Sequence, residues 1–281
     1  MTTTVRIAGI EFSGGAPGES GFCFNNLISW YGVPDNTGRF DDVPQRNRSF
    51  APARTYVTKV YPGLEGVYVG ETVADALRAR NTLASIRNGG KSVVMEVQDD
   101  LMTTRRRVFL KRYAQPHTRH PSFKFALDFI SPDPFRYGDE VSSSTGLPQI
   151  GGGIEFPIVF PIDFGTAGDP GRAVLTNDGE EETMVRFRVF GGLSQGSSIE
   201  TMETGESIIL RREIPDGSVV DFDPVLGRVK IDGSGDITGF LKPGAKWTRV
   251  PPGATRTFQF NGIGEVTGTP RLEAILAPAY L

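Results

Sequence analysis

The sequence predicts a mainly β protein in two parts. An N-terminal α+β module with one helix and a long β-hairpin precedes a C-terminal β-sandwich of jelly-roll type. Three observations predict it. Of 281 residues, 35 are Gly and 20 are Pro, and both residues break helix interiors. Only one stretch, 72–88, carries helical periodicity. Beyond residue 146, short strand-like stretches recur about every ten residues between turn signals. With 38% hydrophobic and 22% charged residues, the chain is too apolar for disorder.

The helix is read from its cap and its spacing. Thr72-Val73-Ala74-Asp75 resembles a capping box with Asp in place of Glu. Val73, Ala76, Leu77, Leu83 and Ala84 recur at helical spacing, and Asn88-Gly89-Gly90 stops the run. Strand candidates surround it at 54–60, 66–69, 92–97, 102–113 and 123–130. In the last, Phe123, Phe125, Leu127 and Phe129 share one face. The later strand candidates are 156–164, 173–177, 183–190, 197–203, 207–211, 219–222, 228–231, 247–250, 255–260 and 271–276. Asn177-Asp178-Gly179, Asp216-Gly217 and Asp232-Gly233 supply turns, because Asn, Asp and Gly tolerate positive φ.

Charge and glycine content step along the chain. Residues 1–137 hold 18 Lys/Arg against 13 Asp/Glu, a net +5, while 138–281 hold 12 against 20, a net −8. Glycines number 12 in the first part and 23 in the second. The step falls near Asp133-Pro134-Phe135-Arg136-Tyr137-Gly138, followed by the polar run Ser142-Ser143-Ser144-Thr145-Gly146. The domains are therefore expected at 1–137 and 138–281, joined by a linker. The basic first part allows nucleic-acid contact, but +5 over 137 residues is met as well by solvated faces or complementary assembly surfaces.

Residue types exclude several chemistries. The single Cys forms no intrachain disulfide, and one Cys with two His is too few for most structural zinc sites. Met1-Thr2-Thr3-Thr4-Val5 lacks a signal-peptide pattern, and no run reaches transmembrane length. No membrane insertion is expected; the chain would be soluble, at least until assembled.

Candidate sites weigh lightly. His117 and His120 form His-x-x-His, but Pro116 and Pro121 flank them, so a polar loop is the simpler reading. Gly151-Gly152-Gly153 lacks the Lys and the strand–helix context of a phosphate loop. Asp221 and Asp223 would share a strand face, the geometry of a carboxylate pair, yet Pro224 marks a strand end. Glu180-Glu181-Glu182 with Asp178 lacks a spaced calcium loop. Cys23 has no nearby His and reads as a small buried hydrophobe. Neither a catalytic constellation nor a cofactor site emerges, so the expectation is no enzyme, no metal and no cofactor. Arg105-Arg106-Arg107 puts cations on both faces of a strand, so one face must meet something other than a core. A protruding hairpin that pairs with a neighbour is expected there, with these three arginines as oligomer contacts. Trp247 is the candidate sugar contact, although its apolar and Pro neighbours also suit a core.

The order of features resembles the distal tail protein, a Dit-like minor tail protein, of long non-contractile-tailed bacteriophages. The junction Phe129-Ile130-Ser131-Pro132-Asp133-Pro134-Phe135-Arg136-Tyr137 is similar to the family's strand ending in Asp-Pro. Gly152-Gly153-Ile154-Glu155-Phe156-Pro157-Ile158-Val159-Phe160-Pro161 resembles its Gly-rich, Phe-Pro entry strand. Asn177-Asp178-Gly179 is similar to its Asn-x-Gly turn. Val220-Asp221-Phe222-Asp223 with Arg228-Val229 resembles its Val-Asp strand. Trp247-Thr248-Arg249-Val250-Pro251-Pro252-Gly253 before Phe258-Gln259-Phe260 resembles its late Trp and Pro-Gly element. The polar stretch from Phe40 to Phe50 matches nothing in the family.

The resemblance implies a ring, commonly a hexamer, at the distal end of the tail. It would join the tube to the tip and host-adhesion apparatus, with a channel that DNA passes without specific binding. The first domain would build the ring; the second would be galectin-like or carbohydrate-module-like. Implied partners are the tail tube protein, the tape-measure protein and tail-tip or receptor-binding proteins. The implied location is the virion, after assembly in the host cytoplasm. The alternative is a carbohydrate-binding protein that uses the sandwich for host-surface glycans.

Overall fold

The structure is a computed structural model and describes residues 3–15, 20–32, 36–37, 56–113, 119–149 and 170–281. The chain forms two compact units, Met1–Gly138 with Tyr280–Leu281, and Asp139–Ala279.

The first unit is a closed barrel of seven strands: β1 Thr4–Ile7, β2 Ile10–Gly14, β3 Gly21–Ile28, β4 Gly63–Val69, β5 Val93–Gln98, β6 Thr103–Tyr113 and β7 Ser122–Ile130. Its order is β6-β5-β1-β2-β3-β4-β7, and β6 pairs with β7 to close it. All pairs are antiparallel except β2 with β3. Period-2 alternation aims one face inward: Val5 and Ile7, Val93, Met95 and Val97, then Phe123, Phe125, Leu127 and Phe129 are buried. Phe12, Phe22, Tyr68, Phe123 and Phe125 form a chain of ring contacts with centroids 4.8–6.0 Å apart. Closure leaves this sheet no long free edge.

Two backbone features shape the barrel. Ala8 and Gly9 both take positive φ, 51° and 81°, and let Ile7 pair with Ile10 across a two-residue turn. At Gly66 a Cβ would stand 2.1 Å from the Cys23 carbonyl oxygen and 2.7 Å from the Phe125 ring. Beside it the β3–β4 register shifts between Phe24 and Asn26. Only glycine fits that close approach.

The helix α1, Val73–Ser85, connects β4 to β5. Thr72 caps it: its Oγ1 accepts the Asp75 N–H at 3.2 Å, and Asp75 Oδ2 accepts the Thr72 N–H at 3.1 Å. That hydrogen bonding from Thr72 holds the Asp75 carboxyl below its usual range. Ala76, Ala79, Leu83 and Ile86 recur at spacings of three and four and join the barrel's core. Val73 and Leu77, expected on the buried face, are exposed. Two alanines on the inner face let the helix backbone lie close to the strands.

The second unit holds a six-stranded and a four-stranded sheet over one core. Its main strands follow β8, Arg136–Tyr137, of the first unit. They are β9 Val141–Gly146, β10 Arg172–Thr176, β11 Arg186–Phe190, β12 Ser197–Thr201, β13 Glu206–Leu210, β14 Val219–Asp223, β15 Arg228–Ile231, β16 Gly235–Asp236, β17 Thr255–Gly262 and β18 Arg271–Leu276. The orders are β9-β18-β11-β14-β15-β16 and β10-β17-β12-β13. Pairing is nested: β9 with β18, β10 with β17, β11 with β14, β12 with β13. Phe187 of one sheet meets Phe258 of the other edge-on, with centroids 5.1 Å apart.

The structure departs from the sequence reading at several points. The polar run 142–146, read as linker, is strand β9; its serines alternate toward solvent while Thr145 is buried. Both strands of the stretch 92–113 are staves of the closed barrel, and its tip at Leu101 and Met102 is exposed. Trp247 precedes the short strand Arg249–Val250 rather than lying in it. Sequence reading passed over the N-terminal strands β1 to β3, although Gly14-Gly15 and Pro17-Gly18 are turn-forming dipeptides. The candidate strand 156–164, Gly151-Gly152-Gly153, the entry motif 152–161 and the stretch 40–50 lie outside the described residues.

Candidate functional site

The arginine triplet sits on β6, where alternation separates its members. Thr104, Arg106 and Val108 point inward, and Arg106 is only 2% exposed. Its guanidinium donates to the Pro134 carbonyl at 2.7 Å, the Phe135 carbonyl at 3.3 Å and the Ser29 carbonyl at 3.4 Å. It also lies over the Trp30 ring, 5.1 Å from its centroid. Trp30 is fully buried, and its Nε1 donates to Thr104 Oγ1 at 3.2 Å. Backbone carbonyls and an aromatic face thus replace the carboxylate that a buried cation ordinarily pairs with. Burial, followed by repulsion from Arg136, lowers the Arg106 pKa to about 10. The group is still a cation at neutral pH.

Arg106 thereby fastens the segment that ends the first unit. Within that segment, the single proton of the Ser131 hydroxyl is shared between the Asp133 and Arg107 carbonyls, at 2.6 and 2.8 Å. Asp133 accepts the Phe135 N–H at 3.0 Å and the Tyr137 hydroxyl at 2.8 Å. Burial and the Asp133 charge push the Tyr137 phenol well above its usual range. Arg136 lies over the Tyr31 ring, 5.0 Å from its centroid, and donates to the Leu281 carbonyl. The Tyr31 hydroxyl donates to Asp99 at 2.8 Å, and burial raises its pKa to about 12. The Asp-Pro-Phe motif of the sequence is held at every residue from 133 to 137.

The outer wall of the barrel carries ordered charge. Glu11, Arg6, Glu96 and Arg105 stand in register on β2, β1, β5 and β6. They pair in sequence at 3.0, 3.5 and 2.8 Å. Arg105 is thus engaged within its own unit and Arg106 is buried in it. Arg107 alone of the triplet is exposed. Below the ladder, beside the helix C-terminus, opens a concavity of about 640 Å³.

The second unit brings none of the sequence's catalytic candidates together. Asp221 faces Arg188 at 3.0 Å, and Arg188 also pairs with Glu273 at 3.3 Å. Those bonds raise the Arg188 pKa, the hydrogen bond that Arg188 donates to Asp221 being the largest cause. Lys230 and Asp236 continue the same register, giving an alternating row across five strands. Asp223 instead accepts the N–H groups of Val225 and Leu226. Glu182 pairs with Arg249 at 3.0 Å. Asn177 is a buried bracket, donating to the Glu181 and Val250 carbonyls at 2.8 and 2.9 Å. Trp247 is half-buried and packs on the core. Cys23 is half-buried on β3 rather than fully buried. His120 is exposed, while His117 lies outside the described residues. No cluster of metal-ligating side chains occurs among the described residues.

Sequence reading missed Trp30 and the Ser29, Pro134 and Phe135 carbonyls as partners of Arg106, and Tyr31 as the partner of Arg136. The usable signal was alternation: in Thr104-Arg105-Arg106-Arg107-Val108 one arginine must take the phase of Val108.

No protein-family model matches the chain, and no curated protein does. Solved structures do match. The Dit protein (gp 19.1) of phage SPP1, from the hub adsorption apparatus of phages infecting Gram-positive hosts, superposes with TM-score 0.68 at 12% identity, covering 100% of both chains. A chain of the phage p2 baseplate in its activated conformation with Sr gives 0.56 at 9% identity, covering 98% of this chain and 97% of that one. The corresponding Ca structure gives 0.55 at 10% identity, covering 98% of each. From end to end, this chain has the fold of a Dit-like phage tail protein.

Proposed function

We propose that this protein is a structural component of the phage tail tip. In that role the first unit closes a ring, commonly of six copies, and the second faces other tail-tip proteins. The ring joins the tail tube to the adhesion apparatus and leaves a channel for DNA, which passes without specific contact. Tube, tape-measure and receptor-binding proteins are its partners, and the virion tail tip is its location after assembly in the host cytoplasm. The observation that carries this reading is fold likeness to a hub protein over the full length of both chains. The engaged Asp221 and Asp223 carboxylates support a non-catalytic role. The nested pairing of eight strands, with the hairpin β15–β16 added to one sheet, supports a jelly-roll sandwich as the outward module. Head-to-tail contacts generate a ring when their rotation closes.

Electron microscopy of the purified full chain, alone and with its tube and tape-measure partners, tests the reading. Closed rings with a central channel are expected. A monomer at high concentration, with no ring beside those partners, would overturn it.

A further inference from the structure

The β5–β6 hairpin differs at its two ends. At its tip Leu101 is 90% exposed and Met102 is also exposed. The tip is held firmly. Asp99 Oδ1 accepts the N–H groups of Leu101 and Met102 at 2.9 Å each, and the Asp99 N–H donates to the Met102 carbonyl at 3.1 Å. Asp99 Oδ2 in turn accepts the Tyr31 hydroxyl. A lone exposed leucine is ordinary. This one stands on a turn fixed by four hydrogen bonds.

At the other end of the hairpin lies the concavity of about 640 Å³, whose lining includes Ala8, Gly9, Ser92, Val93 and Val94. Val94 is 47% exposed there. Six residue steps separate Val94 from Asp100, about 20 Å at about 3.3 Å per residue. The tip therefore cannot fill the concavity of its own chain.

Charge matches the two ends. Exposed Asp100 adjoins Leu101, and exposed Arg87 and Lys91 flank the lining residues Asn88 and Ser92. Among the described residues none of these three forms an ion pair.

We propose that the Asp100–Met102 tip of one copy seats in the concavity of the next. Leu101 meets Val94, and Asp100 meets Lys91 and Arg87. Two different patches of one chain then join head to tail, the interface type that closes rings. The proposal rests on the ring reading above and names its contact.

The test uses the full chain, with native mass spectrometry and light scattering. Leu101→Asp spoils only the tip, and Val94→Asp only the concavity; circular dichroism checks that both remain folded. Each variant alone is expected to lose the ring and run as the protomer. Mixed one to one, they retain one good contact and should give a dimer and nothing larger. Asp100→Lys should also lose the ring, and combining it with Lys91→Asp and Arg87→Asp should restore it. Rings that persist in both single variants overturn the contact while leaving the ring reading standing, and so does a mixture that remains monomeric. A wild-type chain that never forms a ring, even beside its tail partners, overturns both.

Discussion

The Arg106 guanidinium lies 5.1 Å from the centroid of the Trp30 ring, with both side chains buried in the barrel. The cation is satisfied by carbonyls of Ser29, Pro134 and Phe135, groups from two distant parts of the chain. One side chain thus ties the loop after β3 to the segment that ends the first unit.

Arg106→Met would keep much of the volume and remove every donor. Three carbonyls would lose a partner, and the Trp30 face would lose its cation. The expected cost is about 3 kcal/mol, read by urea unfolding. Arg106→Lys should recover little of it, because an ammonium cannot present the planar set of donors. Wild-type stability in the lysine variant would remove the fork geometry from the explanation.

Asp99 gives the barrel an acid limb. Burial alone would raise its pKa, but the Met102 and Leu101 N–H groups, then the Tyr31 hydroxyl, hold it below the ordinary 3.8. A depressed carboxyl contributes stability above its unfolded pKa and loses it as pH falls through the folded value. The loss therefore falls below about pH 4. Asp99→Asn should flatten that limb in thermal melts from pH 2 to 5. An unchanged limb would assign the acid sensitivity elsewhere.

Gly66→Ala should fail where Gly146→Ala does not. At Gly66 the new methyl meets backbone 2.1 Å away, which no rotamer relieves. The expected cost is about 3 kcal/mol or loss of folding. At Gly146 nothing lies within 4 Å and φ is not positive, so the change should fall within about 0.5 kcal/mol. Equal melting temperatures for the two variants would contradict the close approach of β3 and β4.

Asp221→Asn should matter little. Its ion pair with Arg188 is on a partly exposed sheet face, and Arg188 keeps Glu273. The expected change is under about 1 kcal/mol and shrinks in high salt. A loss of several kcal/mol would show that the charged row is more than a solvated face.

The capped helix was legible because capping is local: Thr72 and Asp75 are three residues apart and satisfy each other. The strands of the second unit were legible for a similar reason, since alternation and Asp-Gly turns act over a few residues. Asp232-Gly233 does take positive φ at both positions. Strand β9 was not legible, because its serines read as linker until β18 pairs with every residue from Val141 to Gly146. The short strands β1 and β2 were missed because the Ala8-Gly9 turn has no distinctive dipeptide.

The sequence by itself determined the mainly β class, the single helix and the ordered motifs that resemble distal tail proteins. Each follows from contacts between near neighbours along the chain. Tertiary structure alone decided where Arg105, Arg106 and Arg107 point and what they meet. Pairing β6 with β7 closed the barrel, and closure turned one face of a charged strand inward. Arg106 met Trp30, 76 positions earlier, and carbonyls near residue 134. Local periodicity sets a residue's phase, but only the register of distant strands supplies its partner.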